Sequence, residues 1–486
     1  MERMIPASIE PRLVLQLFEE ISRIPRGTGN EQGISDWLVH FAKEHHLFCT
    51  QDKKLNVLIR KPGTPGHEDR PGVILQSHMD MVCEKTPDST HDFLKDPIQI
   101  VVEGDMITAK ETTLGGDDGI GMALSLALLA ADDIEHPPLE ALFTVDEELG
   151  QTGAEEFDAS QLRGEILINL DSDDDGLFVV GSAGGPTISA DIPIRWAEKT
   201  PEYLPFRLRV SGLLGGHSGE DIHRERGNAN KLLFRLLDAL ERESSFELAS
   251  INGGQACNAI PRDAEAILLI PQQAKDALLA VTDEYCKLYQ TEYRISDPGV
   301  YAALEPYSGE IRQVFSAKTA DDIINFGLFC ETGILRMSTE LEGVVESSNS
   351  LGIIATDEHQ VTFTFVTRSF LESMYRGMVH KIDRMARSAG GASRKEYDCL
   401  EWPYKADSRI RSLFVAVYEE LFQRKSRSVA LHGGLECGII GKNIGRPIDM
   451  ISMGPECKDL HKPGEWLSID STDRYWNMLK EVLHRI

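Results

Sequence analysis

Four stretches of the sequence place acidic or histidine side chains directly after or before apolar segments. In Val73-Ile-Leu-Gln-Ser-His-Met-Asp80 a run of apolar residues ends in His78 and Asp80, two residues apart. The other stretches contribute Asp117, the adjacent pair Glu147 and Glu148, and Asp171. Mixed imidazole and carboxylate ligands suit zinc, manganese or cobalt better than calcium or magnesium. Clustered carboxylates repel one another unless a cation neutralises them, so the set predicts a metal site.

These side chains need a sheet that brings them to one place. Apolar runs at 73–78, 139–145 and 166–170 predict buried strands, and a buried helix is predicted at 122–131 after a glycine-rich turn. Buried strands that alternate with helices indicate an α/β fold with a mostly parallel, helix-covered sheet. Ligands of such sheets bind beyond the carboxyl ends of the strands. All four stretches are therefore expected to meet at one edge of one sheet.

A second domain is predicted within the first. The pattern changes near Gly184-Gly185-Pro186, where alternating strands begin, and helices follow at about 228–242 and 371–388. This mixture is typical of an antiparallel α+β domain. Buried strands return at 428–431 and 448–453. We predict a catalytic domain in two parts, residues 1–186 and 393–486, interrupted by an inserted α+β domain at 187–392.

Composition excludes several classes of partner. The chain has 486 residues, 41% of them hydrophobic, which predicts more than one globular domain. Its formal net charge of −28 argues against a nucleic acid or an anionic membrane surface. The eight cysteines form no C-x-x-C pair, which argues against a zinc ribbon or a thioredoxin-like site. Eight cysteines are few for a chain of this length, which favours a reducing compartment. With no segment typical of a signal peptide or a membrane span, we expect a cytoplasmic protein.

Five motifs, in order, resemble those of the co-catalytic dizinc peptidases, the family that includes carboxypeptidase G, aminoacylase and carnosinase. They are Ser77-His-Met-Asp80, Gly115-Gly-Asp-Asp-Gly119, Asp146-Glu-Glu148, Asn169-Leu-Asp171 and Leu460-His-Lys-Pro-Gly-Glu465. The resemblance covers nearly the whole chain and is strongest to the bacterial aminoacyl-histidine dipeptidases of the family. It implies a dizinc catalytic domain with an inserted lid that also serves dimerisation.

The resemblance assigns the metal ligands. It implies that His78 and Asp171 bind one zinc ion, that Glu148 and His461 bind the other, and that Asp117 bridges both. Mn²⁺ or Co²⁺ can substitute for Zn²⁺ in such a ligand set. From the residues alone, His461 is only a further candidate ligand that the C-terminal segment brings.

The resemblance also assigns the catalytic residues. It implies that Asp80 orients and polarises His78, and that Glu147 is the general base that takes a proton from metal-bound water to form hydroxide. Neighbours in a regular strand point to opposite faces, so Glu147 and Glu148 can share a site only if the strand has turned there. The following Leu149-Gly150 is compatible with such a turn.

Three residues of the inserted domain resemble substrate-binding residues of the family's lid. His217, in Gly215-Gly-His-Ser-Gly219, would stabilise the tetrahedral oxyanion, and Asn258 and Arg368 would bind the carboxylate end of the substrate. Plainer interpretations stay open, because His217 could be an exposed loop residue and Arg368 could pair with a surface carboxylate. Gly433-Gly-Leu-Glu436 resembles a glycine stretch near the substrate, and the role of Glu436 is left open.

The resulting hypothesis is a metal-dependent dipeptidase that hydrolyses unblocked dipeptides, Xaa-His among them. A homodimer through the lid is implied by the resemblance alone, and this lid is longer than the four-stranded lid of smaller family members. Two alternatives stay open: an N-acyl-amino-acid amidohydrolase with the same metals, and a non-catalytic binding protein of the same fold.

Overall fold

The structure, a computed structural model, describes residues 3–486 and only the backbone of Tyr397. Contacts divide the chain into two compact units. The first comprises the described residues up to Gly181, together with Tyr404–Ala430 and Leu435–Ile486, and the second comprises Ser182–Pro403 and Leu431–Gly434. The sequence places the junctions at 186/187 and 392/393 and does not anticipate the short return at 431–434. Residues 1 and 2 of the predicted first part lie outside the described chain.

The secondary structure follows the apolar patterns of the sequence. The N-terminal part of the first unit contains the helices α1 (Arg12–Ser22), α2 (Gln32–Glu44), α3 (Gly116–Ala130), α4 (Glu147–Gly150) and α5 (Thr152–Glu156). Its strands are β1 (Phe48–Gln51), β2 (Val57–Lys61), β3 (Val73–His78), β4 (Ile100–Glu103), β5 (Met106–Ala109), β6 (Leu139–Thr144), β7 (Ile166–Asn169) and β8 (Leu177–Ser182). Both β3 and β6 are buried along their whole length, including the polar half of β3 from Gln76 to His78.

The inserted unit contains the strands β9 to β21 and the helices α6 to α9. The strands are β9 (Gly185–Pro193), β10 (Trp196–Ala197), β11 (Leu204–Ser211), β12 (Gly216–His217), β13 (Glu247–Gly253), β14 (Ala259–Ile260), β15 (Ala264–Ile270), β16 (Tyr301–Pro306), β17 (Val314–Phe315), β18 (Gly333–Met337), β19 (Val345–Thr356), β20 (Gln360–Ser369) and β21 (Ala392–Cys399). The helices are α6 (Ala229–Glu243), α7 (Lys275–Glu292), α8 (Ala317–Phe329) and α9 (Glu372–Ser388).

The C-terminal part returns to the first unit. It contains α10 (Arg409–Phe422), β22 (Arg427–Leu431), α11 (Glu436–Ile444), β23 (Asp449–Ser452), β24 (Cys457–Lys458), β25 (Trp466–Ser468) and α12 (Ile469–Arg485). Among the described helices, none is both long and apolar enough to cross a membrane.

The main sheet of the first unit has the strand order β1-β2-β6-β3-β7-β23-β8-β22. Its centre is parallel, because β6, β3, β7 and β23 all pair in that sense. Outside this centre, β1 and β2 pair antiparallel, as do β2 and β6 and also β23 and β8. The parallel centre agrees with the sequence prediction and brings the carboxyl ends of β3, β6 and β7 to one edge.

The second unit repeats one supersecondary arrangement twice. The segment β11-α6-β13-β15-α7-β16 and the elements β9, α8, β19, β20, α9 and β21 have the same order of strands and helices. The sheet order β16-β11-β15-β13-β19-β20-β9-β21 sets the two halves side by side through an antiparallel pairing of β13 with β19. Apolar side chains from both halves form one continuous core. The α+β lid of the sequence prediction is therefore a double one.

Candidate metal centre

Strand β3 delivers His78 to the edge of the sheet with its two ring nitrogens in different surroundings. The Nε2 atom lies 2.9 Å from Asp117 Oδ1 and 3.5 Å from Asp171 Oδ1. The Nδ1 atom lies 3.4 Å from Asp80 Oδ1 on the other side of the ring. Burial would lower the pKa of His78, but Asp171 and Asp117 outweigh it and raise this pKa well above its usual value.

Asp117 lies between two histidines and offers one oxygen to each. Its Oδ1 atom faces His78, and its Oδ2 atom lies 3.2 Å from His461 Nε2. The same nitrogen of His461 lies 3.2 Å from Glu148 Oε2. Hydrogen bonds to Asp117 and Glu148 raise the pKa of His461 to about 10. The five predicted ligands therefore form two groups that share Asp117.

The chain turns before Glu147 and Glu148, and so both can reach one site. Strand β6 ends at Thr144, Asp146 adopts a left-handed conformation with φ 57°, and α4 begins at Glu147. Asp80 holds this turn, because its Oδ1 and Oδ2 atoms accept the backbone N–H groups of Glu147 and Glu148 at 3.1 and 3.3 Å. One carboxylate thus lies beside His78 Nδ1 and also fixes the backbone of the acidic pair.

The donors of this cluster fit a pair of divalent cations. Each histidine faces one terminal carboxylate and one oxygen of Asp117. The Oε1 atom of Glu148 is buried and has no hydrogen-bond partner in residues 3–486. A group of His78, Asp117 and Glu148 has ligand atoms within 4.8 Å of one another. Burial and Asp117 raise the pKa of Asp171 well above its usual value, which is the behaviour expected of a carboxylate in an acidic cluster that a cation would stabilise.

Two buried ionic residues hold the irregular start of α3, where Asp117 has non-helical backbone angles, and the sequence analysis assigned a role to neither. Arg26 is 1% exposed and donates to the carbonyl oxygens of Met79 and Asp80 at 3.0 and 2.8 Å and to that of Gly115 at 2.5 Å. Glu465 accepts the N–H groups of Leu114, Gly115 and Gly116 at 2.7 to 3.1 Å. The guanidinium therefore ties the segment after β3 to the turn before α3, and the carboxylate fixes that turn from another side.

The replacement Asp80→Asn tests the orienting role of this residue. Asparagine keeps the shape but has no negative charge to place against His78 Nδ1, so we expect zinc affinity to fall about 10- to 100-fold. The measurement is zinc competition against a chelator. The exposed Asp88→Asn is a matched control and should leave the affinity unchanged. Equal affinities of Asp80→Asn and wild type would contradict the assigned role.

The predicted lid residues lie together within the second unit. β12 pairs with β14, which places His217 opposite Ala259, and the carbonyl oxygen of Asn258 accepts from Ser218 N at 2.8 Å. Arg368 Nη1 donates to the hydroxyl of Ser218 at 2.8 Å. The backbone N–H of Glu220 donates to His217 Nδ1 at 3.1 Å, which leaves the ring proton of a neutral imidazole on Nε2. Burial and then Arg368 lower the pKa of His217, which favours that neutral form.

His432 joins these lid residues, although no sequence motif singled it out. Its Nε2 atom lies 2.7 Å from the hydroxyl of Ser348. A Cβ atom on Gly219 would lie 2.3 Å from His432 O and 3.2 Å from both Arg368 Nε and His217 Cε1, so only glycine fits there. Burial and then Arg368 lower the pKa of His432 to about 3, so it is a neutral residue. The signal in the sequence was its place beside Gly433-Gly434.

Comparisons with known proteins agree on one family. Residues 208–295 match the peptidase dimerisation domain of the M20 peptidases. Over 480 residues the chain is 34% identical to the cytosol non-specific dipeptidase of Escherichia coli K12, with 99% of each chain covered. It is similar to the crystal structure of aminoacylhistidine dipeptidase from Vibrio alginolyticus, with 37% identity, a TM-score of 0.93 and coverage of 99% and 98% of the two chains. A Bacillus cereus aminopeptidase shares the fold at 14% identity and a TM-score of 0.56, with 98% of each chain covered.

Proposed function

This chain belongs to the M20 metallopeptidase family and is a dipeptide hydrolase, and from that premise we propose that it is a cytoplasmic dizinc enzyme acting on unblocked dipeptides, Xaa-His among them. The observation that carries the proposal is Asp117, whose two oxygens face His78 and His461 separately. The names of the Escherichia coli and Vibrio relatives support the substrate class and the compartment. The amidohydrolase and the non-catalytic alternatives lose support, because the two relatives with more than 30% identity over nearly the whole chain are named as dipeptidases.

The proposed ligand set keeps the division suggested by the sequence. His78 and Asp171 would hold one Zn²⁺, Glu148 and His461 the other, and Asp117 both, and Mn²⁺ or Co²⁺ could take their place. When bound, two such cations polarise the scissile carbonyl and acidify the attacking water. The mixed nitrogen and oxygen donors support zinc over magnesium or calcium.

Glu147 is the proposed general base. Its carboxylate accepts from Gln151 Nε2 at 2.7 Å, which orients it beside the cluster. Burial is the main cause that raises the pKa of Glu147, and a carboxylate with a raised pKa accepts a proton more readily near neutral pH. Glu147 takes a proton from the attacking water and later gives it to the departing amine. Asp80 supports this step, because it fixes the backbone N–H of Glu147.

The lid residues are proposed to bind substrate. A neutral His217 with its proton on Nε2 can donate to the carbonyl oxygen as negative charge develops there. The Arg368 guanidinium suits the carboxylate end of a dipeptide, and Asn258 supplies a neutral amide. Arg368 contacts the hydroxyl of Ser218, and the backbone of Ser218 contacts that of Asn258, all within one unit. These short distances support a single binding surface for His217, Asn258 and Arg368.

Metal content and substrate preference, measured on one preparation, test the proposed function. We expect about two zinc ions per chain and faster hydrolysis of Xaa-His dipeptides than of N-acetyl amino acids. Faster turnover of the acyl substrates would favour the amidohydrolase. Two bound metals with no cleavage of any dipeptide would favour the binding protein.

A homodimer is the proposed assembly, because the matched domain is a dimerisation domain. That domain covers only the first half of the double lid, from within β11 to just beyond α7. Its strand β13 pairs with β19 of the same chain, so a second copy that pairs through sheet edges would use β16, β21 or β18, the strand that branches from the main order by pairing with β19. Light scattering of the purified protein gives the mass that decides between monomer and dimer.

A further inference from the structure

A layer of buried polar side chains lies within the sheet, next to the strand ends that carry the proposed ligands. It consists of Thr144 of β6, Gln76 of β3 and Asn169 of β7, three neighbouring strands. Gln76 donates from Nε2 to Thr144 Oγ1 at 3.3 Å and accepts at Oε1 from Asn169 Nδ2 at 2.6 Å. Residues two apart in a strand face the same side, so Gln76 precedes His78 on its face and Asn169 stands two positions before Asp171.

Glu436, the first residue of α11, closes this layer. It is 0% exposed, and its Oε2 atom lies 2.5 Å from Gln76 Nε2 and 2.7 Å from Thr144 Oγ1. Its Oε1 atom is buried without a hydrogen-bond partner in the described chain. No Lys, Arg or His of residues 3–486 forms an ion pair with it within 4.0 Å. Glu436 is thus a buried carboxyl group whose Oε2 atom has only neutral hydrogen-bond partners, and whose Oε1 atom has none within the described chain.

The neutral acid fits these contacts better than the carboxylate does. A buried, unpaired negative charge is strongly unfavourable. Thr144 has one hydroxyl proton and two nearby acceptors, because Ser77 O lies 3.3 Å from its Oγ1 atom. A protonated Glu436 can donate from Oε2 to Thr144, which can then donate to the carbonyl oxygen of Ser77, so that both hydroxyl protons have an acceptor.

The surrounding charges favour the same form. Burial and then Glu147 of α4 raise the pKa of Glu436 to about 8, and Asp80 acts in the same direction. His78 at the end of β3 and the hydrogen bond from Thr144 oppose this shift without cancelling it. The acid groups around the proposed metal centre therefore help to keep Glu436 protonated.

We propose that Glu436 is a positioning residue that works as a neutral acid and fixes the spacing of the three strands whose ends carry His78, Asp171 and the Glu147-Glu148 pair. Through Gln76 it contacts β3 and, by way of Asn169, β7. Through Thr144 it contacts β6. The inference rests on the proposed function only in taking those strand ends as a metal centre.

The first test compares Glu436→Gln with Glu436→Ala in the zinc-loaded protein. Glutamine mimics the neutral acid, so we expect two bound zinc ions and zinc affinity within about threefold of wild type. Alanine removes the carboxyl group that both Gln76 and Thr144 contact, so zinc affinity should fall about 10- to 100-fold, the usual effect of losing a group that supports metal ligands. Chelator competition with Zn²⁺ measures both.

The pH dependence gives a second readout that a purely structural role would not move. Between the ordinary glutamate pKa of 4.5 and the raised value of about 8, the folded state holds a proton that the unfolded state releases. The stability that the folded protein gains from the protonated Glu436 therefore falls as pH rises from about 4.5 to about 8. The melting temperature of Glu436→Gln minus that of wild type should increase across this range.

Glu140→Gln is the matched control, since Glu140 is also buried in β6 but pairs with Arg60 Nε at 2.8 Å. Loss of this ion pair should lower the melting temperature. The melting temperature of Glu140→Gln minus that of wild type should not increase from pH 4.5 to 8. Equal zinc affinities of Glu436→Gln and Glu436→Ala, or a pH-independent difference in melting temperature, would overturn the proposal.

If neither Glu436 variant folds, Thr144→Val decides instead. It removes one contact of the layer at nearly constant volume, and an unchanged zinc affinity would then overturn the proposal. Zinc affinity and melting temperature do not depend on the substrate. A protein that passes these tests but cleaves no dipeptide would contradict the proposed function alone.

Discussion

Replacing Glu147 by glutamine is expected to lower kcat by about 10²- to 10⁴-fold, the range that a positioned general base contributes. Glutamine has nearly the same shape but cannot take a proton from the attacking water. The carboxylate of Glu147 is already oriented by Gln151 at 2.7 Å, so the loss of activity would reflect proton transfer more than misplacement. Its pKa is raised chiefly by burial, which makes it the stronger base that this step needs.

Zinc content separates this explanation from loss of the metal centre. Steady-state kinetics and metal analysis on the same preparation should show the low kcat together with about two zinc ions per chain. The exposed Glu155→Gln, in the neighbouring short helix, should retain wild-type activity. If zinc disappeared with activity, Glu147 would be a ligand, and if activity persisted, Glu147 would not be the base.

The sequence predicted the parallel centre of the sheet because that feature depends on short-range pattern. Runs such as Val73-Ile-Leu and Leu139–Thr144 are too apolar for an exposed strand, and the glycine-rich turn before α3 marks the strand-to-helix change. The acidic residues at the ends of these elements then had to share one edge. His78, Asp117 and Asp171 are close together for this reason.

The turn at Glu147 could not be derived in this way. It depends on Asp80, which accepts two backbone N–H groups of α4 from 67 and 68 residues away along the chain. The sequence contains the acidic pair but not the contact that bends the backbone before it. Arg26 presents the same limit, because its acceptors are backbone carbonyls 53 to 89 residues away, and a carbonyl leaves no signature in a sequence.

The sequence patterns did not predict the double lid, and the reason is topological. Strand β9 opens the second half of the sheet, but its partners β20 and β21 come after the whole first half. The segments between them therefore suggested one long α+β domain with no visible repeat. Helices α7 and α8 belong to the two different halves, and neither was predicted. His432 belongs to the lid because residues 431–434 of the C-terminal segment return to that unit, which the sequence patterns did not indicate.

The double lid and the buried layer have one feature in common: in each, strands are joined by contacts between residues that are distant in sequence. In the first unit the layer joins β6, β3 and β7 through Thr144, Gln76 and Asn169. A metal pair with a shared ligand tolerates little error in spacing, since misplaced donors lose affinity steeply. The residue whose loss should have the largest effect on the metals is therefore the shared ligand.

Replacing Asp117 by asparagine is expected to disrupt the metal pair. An amide has one oxygen in place of two and carries no charge, so it can face His78 or His461 as an acceptor but not both. We expect bound zinc to fall from about two ions per chain to about one or fewer. Loss of one cation removes several kcal/mol of transition-state stabilisation, so kcat/KM should fall about 10³-fold or more.

The neighbouring Asp118→Asn is the matched control for this prediction. Burial raises the pKa of Asp118 to about 8, and asparagine keeps the shape of this side chain without a charge. The asparagine oxygen can still accept the N–H of Gly121, which Asp118 Oδ1 accepts at 3.1 Å. Metal analysis and dipeptide kinetics should therefore show near wild-type values for Asp118→Asn and loss of both zinc and activity for Asp117→Asn. Two zinc ions retained by Asp117→Asn would show that the histidines do not share this carboxylate through metals.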